Sequence, residues 1–296
     1  MGILEDLKQQ YKLGGLTEKL IYWNIALFAI PMVVFGILSL FSIQVGYLNY
    51  VSLSSSPADL LYQPWTLFTY FFFHSGVIHL LVNVLMLSFI SRLFQTFFTQ
   101  KQMLSVYLMG GLFAGIIYLV SYYVFPALQD KVVSLVGASG AIMAILFAVT
   151  SYAPRMNVRL LLIGTVQLWQ IALVFIIIDF IQLPLQNTGG HLAHLGGALF
   201  GYIYGTQLKK GIDITRGFTK IVDALVTVFF SKKNTTPFKK VHRNTVKPKS
   251  AVNKATAVVK KDKNQQQIDE ILDKISQSGY DSLTKEEKEF LFNSGK

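Results

Sequence analysis

The side chains able to do chemistry in this chain are few, and their spacing brings them to one level. Ser139 lies in the run Gly137-Ala138-Ser139-Gly140. Where a helix opens on such a run, its first amides have no intrahelical acceptor and can face a developing oxyanion. His194 is followed by Gly197, Gly201 and Gly205 at four-residue spacing, a small-residue face on which one apolar helix packs closely against another. Close packing of that kind would bring an imidazole to a hydroxyl, a general base beside a nucleophile. His79 and Asn83 are one helical turn apart, so both can point from one helix face as hydrogen-bond donors toward a shared spot.

Each feature also has a plainer reading. Small residues pack transmembrane helices, a histidine at a helix start is often a satisfied interfacial residue, and His79 with Asn83 can bond one helix to another. A serine, a histidine and a donor pair at one depth on three separate spans make a site the better account. A soluble-hydrolase elbow is excluded, because Ala141 stands where Gly-x-Ser-x-Gly needs its last glycine and no strand is expected before the serine. His191 and His194, with His74 or His79, could bind zinc, but there is no HExxH and no nearby carboxylate base. A transporter would favour internal repeats with broken helices, and none is visible. Asp179, an intramembrane carboxylate, is a functional candidate by position. No motif ties it to His194, so a structural or inner-cavity role is expected for it, and a dyad with no third acid.

These residues need elements to hold them, and composition says of what kind. Of 296 residues, 52% are hydrophobic and 15% charged, with a mean hydropathy of +0.45: the pattern of a polytopic, all-α membrane protein. Apolar runs fit six transmembrane helices at roughly 22–43, 76–96, 103–125, 137–153, 160–183 and 190–208. Lys8, Lys12 and Lys19, then Arg92 and Lys101, Arg155 and Arg159, and Lys209 and Lys210 mark alternate ends of these spans. The positive-inside rule therefore puts both termini in the cytoplasm, and the candidate site residues near the outer leaflet. The segment from Gly46 to Phe73, with Trp65, Phe68, Tyr70, Phe71, Phe72 and Phe73, suits the membrane interface. The N-terminus does not fit a removable signal peptide, and the absence of cysteine excludes disulfides and thiolate chemistry.

The formal charge of +11 comes mostly from residues 231–263, which hold eleven Lys or Arg against Asp262. The chain thus divides into a segment 1–21, a six-helix core 22–208, a basic linker 209–263 and a small helical appendage 264–296. The apolar residues of 218–230 suit a short amphipathic or interfacial helix. The linker is expected to be disordered, in contact with anionic lipid or simply solvated. In the appendage, Gly279 should break two helices and Thr284 with Glu287 should form a capping box.

His74, His79 and Asn83, Gly137-Ala138-Ser139-Gly140, and Ala193-His194 with Gly197 and Gly201 resemble the rhomboid protease family over residues 20–208. The resemblance implies a six-helix intramembrane serine endopeptidase working through an acyl-enzyme. Ser139 and His194 would be its dyad, and His79, Asn83 and the Ser139 amide its oxyanion hole. Gly137, Gly140, Gly197 and Gly201 would support the site, with span five and the outer connection forming an entry gate. Met143 stands where an aromatic can support the histidine ring, and the appendage is absent from minimal six-span members. Implied partners are transmembrane protein substrates, with small residues at the cleavage point, and membrane lipids. No metal, cofactor or nucleic acid is expected, and the expected location is a bacterial inner (plasma) membrane.

Overall fold

The computed structural model describes residues 2–129, 131–161, 163–221, 223 and 263–294, in two compact units, Met1–Asn234 and Thr235–Lys296. In the first unit, Gly14 and Gly15 separate α1 (Ile3–Leu13) from α2 (Leu16–Leu40). Short helices α3 (Leu48–Val51), α4 (Pro57–Tyr62) and α5 (Thr66–Thr69) follow, then α6 (Val77–Gln95), α7 (Gln100–Val124), α8 (Ser139–Tyr152), α9 (Leu168–Gln182) and α10 (Thr188–Lys209). The bundle of an all-α membrane protein is built from α2 and α6 to α10, six helices as the hydropathy predicts. A capping box opens α7, where the Gln102 amide donates to Thr99 Oγ1 at 3.2 Å and the Thr99 amide to Gln102 Oε1 at 3.0 Å.

Helix length matters for the site. Among the described residues α2, α6 and α7 are long and apolar enough to cross a membrane by length and composition alone. With 14 and 15 residues, α8 and α9 rise only about 21 and 23 Å, against a hydrocarbon core of ~30 Å. The far end of α8 is tied down, for Tyr152 packs on Phe97 and Phe98 with ring centroids 5.5 and 4.8 Å apart. Ser139 stands at the opposite end of this short helix. There α8 lies among α6, α7 and α10, and Ala141 to Leu146 are all buried.

Three expectations need correcting. Span five does not begin at 160: β3 (Asn157–Leu160) pairs antiparallel with β4 (Gly164–Gln167), Val158 opposite Val166. Gly164 turns that hairpin at φ +91°, a left-handed conformation foreign to a helix, and α9 starts only at Leu168. A strand does precede Ser139: β2 (Ser134–Leu135) pairs with β1 (Leu53–Ser54), although two residues make no hydrolase sheet. Finally, the aromatics of the outer connection do not all lie at an interface. Tyr70 and Phe71 are buried against α7, with the Tyr70 hydroxyl donating to Gly111 O at 2.6 Å and the Tyr107 hydroxyl to Phe71 O at 3.0 Å, while Trp65 and Phe68 stay exposed.

In the second unit, helices Lys263–Ser278 and Lys285–Ser294 are separated at Gly279, which has φ +76°. The predicted capping box is present: the Thr284 amide donates to Glu287 Oε2 at 2.7 Å and the Glu287 amide to Thr284 Oγ1 at 3.3 Å. Half-buried Glu287 also accepts from Lys274, which holds its carboxyl below the usual carboxylate range. The basic stretch 231–262 and most of 218–230, read above as linker and amphipathic helix, lie outside the described residues.

Candidate active site

Ser139 is the first residue of α8, so the opening amides of that helix have no partner within it. The chain enters through Gly137, whose amide donates to Tyr70 O at 3.0 Å and whose φ is +126°, a conformation L side chains rarely adopt. A Cβ there would also stand 2.7 Å from the His79 ring. Gly137 thus allows both the turn and the imidazole beside it.

His194 reaches Ser139 through the seam between α8 and α10. A Cβ on Gly197 would collide with the Gly140 carbonyl, one on Gly201 with that of Ala144, and one on Gly205 with that of Ala148. A Cβ on Gly140 would stand 2.8 Å from Ala114 Cβ and 3.4 Å from the Ala193 carbonyl. The expected glycine ladder therefore sets backbone on backbone. The result is a hydrogen bond of 2.7 Å between His194 Nε2 and Ser139 Oγ.

His194 Nδ1 lies 2.8 Å from Asp179 Oδ1, and His191 Nδ1 lies 2.8 Å from the same oxygen. Asp179, only 3% exposed, stands on α9. An ionised carboxylate has only acceptors, so both Nδ1 atoms donate to it, which leaves His194 Nε2 bare to accept from the serine hydroxyl. This third group departs from the dyad without an acid. The helix ends explain the meeting: α9 and α10 follow one another, with Asp179 three residues before the end of one helix and His191 three after the start of the other. At the helical rise both are about 4.5 Å deep and His194 about one turn deeper.

His79 and Asn83 line the same cavity as Ser139 and His194. Ser75 Oγ holds His79 Nδ1 at 3.1 Å, leaving Nε2 for the cavity. Asn83 Nδ2 donates to the His79 carbonyl at 2.8 Å, and its second N–H is available for a ligand. The cavity holds about 300 Å³ and its walls include Met86, Met143, Phe175 and Asn187. Met143 thus takes a place in the pocket wall. Asn187, with a left-handed φ of 51° before α10, was missed by sequence reasoning, since nothing distinguishes it from an ordinary turn residue. His74 and His191 do not line the cavity. His74 is buried edge-on to His79, centroids 5.2 Å apart. Among the described residues, the groups placed to hold a metal are Asp179, His191 and His194, and not the His74 or His79 of the sequence alternative.

A family model for the Rhomboid domain matches residues 62–211, and one for a family of unknown function, DUF6576, matches residues 258–293. The chain is 32% identical over 136 residues to the mitochondrial presenilin-associated rhomboid-like protein A of Danio rerio, a match covering 45% of this chain and 34% of that protein. It is 31% identical over 169 residues to the mitochondrial presenilin-associated rhomboid-like protein of Homo sapiens, covering 56% and 42%. To RHOMBOID-like protein 1 of Arabidopsis thaliana it is 31% identical over 152 residues, covering 49% and 34%. The chain thus spans less than half the length of these relatives. A bacterial inner-membrane location with cytoplasmic termini is overturned by the presenilin-associated relatives, which are mitochondrial. Alternating basic residues rank the two sides of a membrane and do not say whose membrane it is.

Proposed function

This chain belongs to the rhomboid family, and from that premise we propose that it is a serine endopeptidase cleaving transmembrane protein substrates within a mitochondrial membrane. The observation that carries the reading is the 2.7 Å bond between Ser139 Oγ and His194 Nε2 at the wall of a cavity. His194 takes the hydroxyl proton as Ser139 attacks a peptide carbonyl, and returns it to the leaving amine. The Ser139 amide, His79 Nε2 and the spare Asn83 N–H stabilise the oxyanion. Water, deprotonated by the same histidine, then resolves the acyl-enzyme. Asp179 holds His194 in the tautomer this needs and stabilises the imidazolium as it forms. A substrate helix hides its carbonyls in its own hydrogen bonds, so it must unwind locally to enter, which favours helix-weakening residues near the cut.

Supporting the protease over a zinc hydrolase is the geometry of Nε2, which faces the serine. The test is cleavage of a reporter with a helix-weakened transmembrane segment in reconstituted membranes. Ser139→Ala and His194→Ala should each lower it about 10⁴-fold or more, and a chelator should leave it intact. Cleavage that survives both substitutions, or that a chelator removes, sinks the proposal.

A further inference from the structure

Asp179, His191 and His194 bring three metal-ligating atoms within 4.8 Å of one another, at the back of the site and away from the serine. The two Nδ1 atoms already stand 2.8 Å from Asp179 Oδ1. Tetrahedral zinc, with bonds of about 2.0–2.2 Å, needs donors about 3.3–3.6 Å apart, so small side-chain movements suffice. A second observation points to a ligand: Asp179 Oδ2 is buried and has no hydrogen-bond partner among the described residues, an orphan that a native interior rarely tolerates. His194 also lines the cavity, and a water would complete the fourth position of a tetrahedral ion.

We propose that Asp179, His191 and His194 form a site for zinc, or a similar borderline divalent cation, whose occupancy switches the serine off. Imidazole nitrogen with one carboxylate is a donor set that suits zinc. To bind, the ion takes both Nδ1 lone pairs, and each Nδ1 proton is lost to solvent while each ring regains one at Nε2, so both imidazoles stay neutral and no net proton is released. His194 Nε2 then carries a hydrogen and donates to Ser139 Oγ where before it accepted. The nucleophile keeps its place and loses its base. The inhibitory consequence rests on the protease reading; the metal site does not.

Cobalt(II) reports the site directly, because four-coordinate cobalt absorbs strongly in the visible where the hydrated ion hardly does. The whole chain, free of any histidine tag, is purified metal-free in nanodiscs and titrated with Co²⁺. The wild type and Ser139→Ala should bind one ion with intense visible bands that Zn²⁺ displaces. Asp179→Asn and His191→Gln should each weaken binding about tenfold or more, whereas His74→Ala should not. In the reporter assay Zn²⁺ should inhibit the wild type reversibly by chelation, and whatever cleavage His191→Gln retains should be correspondingly less sensitive. A wild type without the cobalt bands overturns the site, even if it cleaves. Bands that persist unchanged in both ligand variants overturn it equally. Bands on a chain that cleaves nothing uphold the site and sink the protease reading instead.

Discussion

Where α10 meets α8, backbone lies against backbone: Gly197, Gly201 and Gly205 leave no room for a Cβ beside the carbonyls of Gly140, Ala144 and Ala148. Helix α9 is the opposite, turning Leu173, Val174, Ile177, Ile178 and Ile181 outward and exposed, with little more than Leu168, Ala172 and Asp179 buried. Both regions feed one hydrogen-bond chain. The close-packed seam fixes Ser139 against His194, and the peripheral helix supplies the carboxylate that sets the tautomer. A site divided in this way keeps the atoms that share a proton on immovable backbone. It places the carboxylate on a helix whose outward flank is exposed.

That contrast can be broken at the seam first. Gly201→Leu would drive a side chain into the Ala144 carbonyl and the Ala148 amide, where only backbone could yield. It should cost more than about 3 kcal/mol, read as a large fall in the unfolding temperature together with loss of cleavage. Asp179→Asn should be smaller and different in kind. The bundle stays folded, but an amide cannot hold both Nδ1 protons as a carboxylate does, and the reporter rate should drop about 10²- to 10⁴-fold. An unchanged rate would make the acid a packing residue. Least of all, Ile177→Ala on the outward flank of α9 should stay within about 0.5 kcal/mol of the wild type. A large loss there would mean that α9 is held as firmly as the seam.

Much of this was legible beforehand because it rests on patterns with a fixed period. The six helices follow from apolar run length, the α8–α10 contact from glycines at four-residue spacing, and the appendage turn from Gly279 with Thr284 and Glu287. What escaped prediction lacks a period. The apolar run 160–163 reads equally as the start of a span or the end of a hairpin, and Gly164 decided it. Tyr70 and Phe71 are aromatic like exposed Trp65, and only packing against α7 separated them. Asp179 was visible as a costly intramembrane charge, yet its partner is set by the turn joining two helices.

By itself, then, the sequence determined which residues can react and which helices carry them, because composition and periodicity are local properties of a chain in lipid. Tertiary structure alone decided that one carboxylate oxygen serves both His191 and His194, because that depends on how deep a hairpin places its side chains. Distances of 2.7 and 2.8 Å are properties of the packed bundle, which no single segment encodes.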